Sequence, residues 1–85
     1  MGALSESASG TLRQSAPGAE PRVTGIRLPP VSAFRLNEMG MKVGSLAHVT
    51  QKAAFGGRVV AMDGSRFALD GGTAALIDVE RARRP

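Results

Sequence analysis

The side chains that could bind a metal ion are few and stand far apart in the sequence. His48 is the only histidine and there is no cysteine, while Asp78 and Glu80 stand two residues apart. That spacing puts both carboxylates on one face of an extended strand, and ferrous iron accepts imidazole and carboxylate ligands. No motif has metal-ligand spacing, however, and nothing in the sequence brings His48 near Asp78. We therefore expect an exposed histidine, solvated acids, no metal site and no cofactor.

Catalytic motifs are also missing from the sequence. Nucleophilic catalysis needs a nucleophile, a base and a group that orients the base, and His48 has no identifiable partners of this kind. The pairs Gly56-Gly57 and Gly71-Gly72 match neither of the glycine-rich phosphate-binding patterns, so we interpret them as turns. We predict a protein that is not an enzyme and has no small-molecule substrate.

Length and charge favour one small domain. A chain of 85 residues has room for one thin core, because it buries only about 60% of its unfolded surface. It carries 11 Lys and Arg against 7 Asp and Glu, a net charge of +4. No apolar run approaches the roughly 18 residues that a membrane-spanning helix needs, and the N-terminus does not resemble a signal peptide. We therefore expect a cytoplasmic protein.

Both ends of the chain are expected to lie outside the folded domain, which is predicted to span residues 11–80. Residues 1–10 are small and polar without an apolar period, and we expect them to be disordered. Residues 81–85 form a basic tail with Arg81, Arg83 and Arg84, which could contact nucleic acid, an acidic protein or anionic lipid. We expect a solvated terminus, with no nucleic-acid binding and only indirect membrane contact.

Alternating apolar residues predict a mainly β chain. Strands are expected at residues 22–28, 45–52, 58–62, 65–70 and 76–80. A short helix is expected from an N-cap at Ser32 to about Met39, and Gly40 then ends it in the left-handed conformation. About five short strands, with one short α-helix between the first and the second, predict a small SH3-like β-barrel.

The pair Asp63-Gly64 is a strong signal for a two-residue hairpin turn, and it sets the register of the strands around it. The expected facing pairs are Met62 with Ser65, Val60 with Phe67, and Arg58 with Leu69. The side chains expected to face the core are those of Val60, Met62, Phe67, Leu69, Ile77 and Val79. The side chains expected to face outward are those of Val59, Ala61, Arg66 and Ala68.

The remaining candidate for function is an interaction surface. Several apolar side chains fall on strand faces that a barrel with one core would turn to solvent, and one more follows the helix stop. The predicted docking residues are Met41, Leu46, His48, Val59, Ala61 and Ala68. Contiguous exposed apolar area marks docking sites, although scattered exposed apolar side chains are normal in soluble proteins. The same surface could instead serve a homo-oligomer.

A barrel of this kind suggests proline-rich ligands, which bind in grooves lined with aromatic rings. The chain has no Trp, no Tyr and three Phe. We expect Phe67 in the core, and Phe34 and Phe55 over the ends of the barrel. We therefore do not predict polyproline binding.

An ordered set of apolar residues and glycines resembles the FeoA family of ferrous iron transport proteins. The matching residues are Thr11-Leu12, Pro17-Gly18, Arg22-Val23, Ile26, Arg35-Leu36, Glu38-Met39-Gly40-Met41, Gly44, Ala47, Val49, Gly56, Val60, Met62, Gly64, Phe67-Ala68-Leu69, Ala74-Ala75, Ile77 and Val79. Two positions depart from the family pattern. Val43 stands where the family often has proline, and Asp70 stands where it often has a basic residue.

The resemblance implies an SH3-like barrel that assists the membrane transporter FeoB by contacting its cytoplasmic GTP-binding region. It also implies a cytoplasmic protein that is recruited to the inner face of the membrane. The domain type resembles the C-terminal module of iron-dependent repressors of the DtxR kind as well, so a metal-responsive regulatory module is the alternative. Those repressors carry a helix-turn-helix ahead of the module, for which residues 1–20 are unsuited, and we therefore expect a free-standing FeoA protein.

Overall fold

The computed structural model describes residues 9–82, which form six strands, two α-helices and two 3₁₀ turns. The strands are β1 (Ser9–Thr11), β2 (Arg22–Ile26), β3 (His48–Lys52), β4 (Arg58–Met62), β5 (Ser65–Leu69) and β6 (Ile77–Glu80). The helices and turns are α1 (Pro30–Glu38), α2 (Gly71–Ala74), and the 3₁₀ turns Leu12–Gln14 and Ala54–Gly56. The chain is mainly β, as the alternation of apolar residues predicts.

The strands form two antiparallel sheets of three strands each, in the orders β1-β6-β2 and β3-β4-β5. Between these sheets, one isolated bridge pairs Arg22 with Leu46 in the part of the chain that is described. The predicted closed barrel is therefore not seen in residues 9–82. Further backbone hydrogen bonds join residues 18–23 to residues 44–49, so the starts of β2 and β3 lie against one another.

The sixth strand comes from the stretch that is predicted to be disordered. Ser9 and Gly10 pair with Glu80 and Val79 of β6, while residues 1–8 lie outside the described part of the chain. Small polar residues have no apolar period, so their sequence does not reveal a strand that depends on backbone bonds to β6. Because β1 comes first, the two predicted strands on either side of α1 are the second and third strands of the chain and not the first and second.

Helix α1 begins earlier than predicted and ends at the predicted glycine. Its N-cap is Pro29 and its first residue is Pro30, so Ser32 lies inside the helix. Proline suits a first helical position because the amide that it lacks would have no partner there. At the other end Gly40 has φ +103°. The Gly40 amide donates to the Asn37 carbonyl at 3.0 Å, and the Met41 amide donates to the Leu36 carbonyl at 2.9 Å, which is the Schellman pattern.

The hairpin at Asp63-Gly64 confirms the predicted register. The two turn residues have φ values of +48° and +80°, which fit a type I′ turn. All three predicted facing pairs are observed. Val60, Met62 and Leu69 are buried, and Phe67 packs half-buried against the same core. The buried apolar core draws on both sheets and consists of Leu12, Val23, Leu36, Met41, Ala47, Val49, Val60, Met62, Leu69, Ala74, Ile77 and Val79.

One charged side chain is buried with this core. Arg58 is 7% exposed, and its guanidinium donates to three backbone carbonyls. The Nε atom donates to Ser15 O at 2.8 Å, one terminal nitrogen donates to Gly57 O at 2.7 Å, and the other donates to the carbonyl of Arg13. Arg58 therefore holds the first 3₁₀ turn against the start of β4 and the end of the second 3₁₀ turn.

The segment that follows β5 is a one-turn helix, where the sequence suggests a tight turn. Asp70 is the N-cap of α2, and its Oδ1 accepts a hydrogen bond from the Thr73 amide at 2.7 Å. This bond lowers the pKa of the Asp70 carboxyl. The acid at this position, which departs from the family pattern, therefore has a local structural role as a helix cap.

Candidate docking surface

The outward face of the sheet β3-β4-β5 brings together two rows of paired residues. His48, Ala61 and Arg66 lie opposite one another across the three strands, and Gln51, Val59 and Ala68 form the next row. Residues that pair directly in an antiparallel sheet point to the same side. We call these six residues the outer sheet face. Its centre is apolar and half-buried at Val59 and Ala61, and its margins are exposed.

The structure gathers four of the six predicted docking residues on the outer sheet face. His48, Val59, Ala61 and Ala68 all belong to it. Leu46 is 43% exposed, stands two residues before His48, and forms the isolated bridge with Arg22. The assignment of Met41 to a docking surface is wrong, because its side chain is fully buried. As the residue after Gly40 in the Schellman pattern, Met41 turns back against Leu36 and the core.

Two aromatic side chains do not lie where the sequence predicts. Phe34 is 65% exposed and Phe55 is 94% exposed, so neither covers an end of the core. In a helix, residues two positions apart point to nearly opposite sides, and burial of Leu36 therefore turns Phe34 to solvent. That spacing is a signal from which the exposure of Phe34 could have been predicted.

Phe55 is exposed and also has an unfavourable backbone conformation. Its φ is +54° and its ψ is 42°, a left-handed conformation that costs a residue with a Cβ about 1–2 kcal/mol. The loop around it is tightly held. The Ala53 amide donates to Gly57 O at 2.9 Å, and the Phe55 carbonyl packs so closely on Gly71 that a Cβ there would have no room. Strain of this kind persists where the surroundings impose it, and it often accompanies binding sites.

The candidate metal ligands are engaged elsewhere or lie apart. The guanidinium of Arg27 donates to both carboxylate oxygens of Asp78, at 2.8 and 3.0 Å. This hydrogen-bonded pair lowers the pKa of Asp78 and raises that of Arg27. His48 Nδ1 lies 4.0 Å from Glu20 Oε2. Within residues 9–82, no group of three or more His, Cys, Asp or Glu residues could hold a metal ion.

A cleft of about 520 Å³ lies between the C-terminal end of α1 and strand β5. Met39 and Phe67 line it together with charged groups of both signs, which include Lys42 and Asp63. A second cleft, of about 500 Å³, lies between β1 and residues 16–21. Arg81 of the predicted basic tail lines this second cleft, whereas Arg83 and Arg84 fall outside the described residues. No helix in the described range has the length and apolar character needed to cross a bilayer.

Comparison with known proteins identifies the family. The family model described as the FeoA domain matches residues 10–81. A crystal structure described as the iron uptake regulatory protein FeoA is 24% identical with a TM-score of 0.75, over 87% of this chain and 97% of that chain. The NMR structure of a FeoA-like protein from Clostridium acetobutylicum is 20% identical with a TM-score of 0.73, over 92% of each chain. No curated protein matches significantly in sequence. The chain therefore belongs to the FeoA domain family, and this membership implies a role in ferrous iron uptake.

Proposed function

We propose that this protein is a non-catalytic accessory protein of ferrous iron uptake, and that it docks onto the cytoplasmic GTP-binding part of a FeoB-type membrane transporter. The observation that carries docking is the outer sheet face. Its apolar residues Val59, Ala61 and Ala68 have polar side chains beside them, and protein–protein interfaces combine apolar and polar residues in this way. Family membership supplies the iron transport context.

Phe55 supports the same proposal from a second observation. It lies on the loop that joins β3 to β4, at one end of the sheet that carries the outer sheet face. An aromatic side chain that is 94% exposed contributes almost no burial to folding, while its left-handed backbone makes folding less favourable. Large aromatic side chains are common anchors in protein interfaces. We therefore include Phe55 in the docking surface.

The test is direct binding of the purified protein to the purified cytoplasmic GTP-binding domain of the transporter from the same organism. Binding is measured by biolayer interferometry at physiological salt, with the domain loaded with GTP or with GDP. We expect saturable binding in at least one nucleotide state. No binding in either state would overturn the proposed function.

The chain offers a matched pair of variants for this experiment. Phe55→Ser and Phe34→Ser make the same chemical change at two exposed phenylalanines, one on the β3–β4 loop and one on α1. We expect Phe55→Ser to weaken binding at least tenfold, because an aromatic anchor contributes about 1.4 kcal/mol or more. Phe34→Ser should bind as the wild type does. The reverse result would place the docking surface on α1.

A further inference from the structure

The chain bonds to the outer edges of two of its strands by itself. Along β2, the Val23 amide donates to Ser45 O and the Gly44 amide donates to Val23 O, both at 2.8 Å. The outer edge of β3 is bonded within the chain as well. The Gly18 amide donates to Val49 O at 2.8 Å, and the Val49 amide donates to Ala19 O at 2.9 Å. Both edges are thereby closed to further pairing.

The outer edge of β5 is open in the described part of the chain. The two-residue hairpin makes Met62 and Ser65 a hydrogen-bonded pair, so Phe67 and Leu69 also bond to β4, while Arg66 and Ala68 direct their amides and carbonyls away from it. No backbone bond from elsewhere in residues 9–82 reaches Arg66 or Ala68. Both residues are exposed. Such an edge is a template for one more strand.

We propose that the transporter segment that docks on this protein adds to β5 as an extended strand. This inference rests on the proposed function and specifies how the partner binds. Main-chain hydrogen bonds to Arg66 and Ala68 would provide affinity that does not depend on side chains, and pockets beside the edge would select the side chains.

The surroundings of β5 offer different contacts to the two sides of an added strand. Alternate side chains of a strand point to opposite faces of the sheet. One set would extend the outer sheet face beside Arg66 and Ala68. The other set would face the cleft at the end of α1, where Phe67 is half-buried and Met39 is 40% exposed. An apolar side chain of the partner fits that second position.

Charge favours an acidic partner over a second copy of this chain. The outer sheet face carries Arg66 and no acidic residue among its six members, and the whole chain has a net charge of +4. A β5–β5 pair in which Arg66 faces Arg66 would place two like charges directly opposite one another, which is destabilising. A partner strand with an acidic residue next to Arg66 would instead form an ion pair with the Arg66 guanidinium. The proposed occupant is therefore an extended segment in which acidic and apolar residues alternate.

The test is amide hydrogen exchange of the full protein, alone and with the purified cytoplasmic GTP-binding domain. The Arg66 and Ala68 amides should exchange rapidly in the free protein and become at least tenfold slower in the complex. Binding without this protection overturns the strand-addition inference and leaves the proposed function intact. Absence of binding overturns both. Protection that grows with concentration of the protein alone identifies a second copy as the occupant and overturns the acidic partner.

Two pairs of variants test the same contact independently. Ala68→Pro removes an amide that is not bonded to β4, and edge strands tolerate proline there, whereas Ala68→Ser keeps the amide. We expect Ala68→Pro to bind about tenfold more weakly than Ala68→Ser, because the two variants differ by the one hydrogen bond that the amide would donate. Arg66→Glu should weaken binding more than Lys52→Glu, which makes the same charge change on β3. Equal effects within either pair would count against the inference.

Discussion

Arg58 gives the most quantitative prediction about this fold. Arg58→Met keeps an unbranched apolar stem but removes a guanidinium that is 7% exposed and bonds to three carbonyls. Gly57 O keeps the Ala53 amide as a donor at 2.9 Å. The loss of hydrogen bonds therefore falls mainly on the carbonyls of Arg13 and Ser15. A buried acceptor left unpaired costs about 1–3 kcal/mol. Because these two are only partly buried, we expect a loss of about 3 kcal/mol in the free energy of unfolding.

That loss is a large part of the stability of a small domain and can be measured by urea unfolding or by thermal melting followed by circular dichroism. At roughly 4–8 °C per kcal/mol, the melting temperature should fall by about 12–24 °C. The matched control is Arg22→Met, which removes an exposed arginine with one carbonyl bond of 3.2 Å and should cost less than about 0.5 kcal/mol. Equal losses in the two variants would refute the role assigned to the buried guanidinium. Arg58→Lys should recover less than half of the loss, since an ammonium group cannot reproduce the planar arrangement of donors.

Three further measurements concern the strained β3–β4 loop, two hydrogen-bonded carboxylates and the binding of Fe²⁺. Phe55→Gly should raise the free energy of unfolding by about 0.5–1 kcal/mol, because it relieves the left-handed strain without loss of burial. The same variant should bind the transporter more weakly. A destabilised Phe55→Gly protein would contradict the strain assigned to the loop. The lowered pKa values of Asp70 and Asp78 mean that both carboxylates stabilise the fold above their ordinary pKa and lose this effect as the pH falls below about 4. The double variant Asp70→Asn with Asp78→Asn should therefore flatten the acid limb of stability against pH, and an unchanged limb would contradict it. Anaerobic calorimetric titration with Fe²⁺ should show no saturable heat, and a stoichiometric isotherm would instead favour the metal-responsive alternative.

The sequence predicts those parts of the fold that depend on local backbone chemistry. Asp63-Gly64 determines the hairpin register because both residues must adopt positive φ, and Gly40 marks the helix end for a similar reason. The start of α1 is less evident, since Pro29 and Pro30 equally suit the end of a strand and the first turn of a helix. The apolar residue after a C-terminal helix glycine commonly packs back on the helix, so the burial of Met41 had a signal in the sequence.

Other features depend on contacts between distant segments. Strand β1 pairs with β6 across the whole length of the domain, and three residues without an apolar period do not predict such a pairing. The predicted register pairs Arg58 with Leu69, and this pairing places the Arg58 side chain on the inward side of the sheet. What makes this burial tolerable is the set of carbonyls from residues 13–15, which come close only in the folded chain. The open edge of β5 likewise becomes apparent only when the outer edges of β2 and β3 are seen to be bonded within the chain.

We propose that this protein supports ferrous iron uptake by docking through the outer sheet face. The most direct test is Fe²⁺ uptake by cells that lack the protein and are complemented with either the wild type or Ala61→Arg, a change at the centre of that face. We expect Ala61→Arg to melt within a few degrees of the wild type and yet to leave uptake at the level of uncomplemented cells. Wild-type uptake by cells that carry a folded Ala61→Arg protein would contradict it.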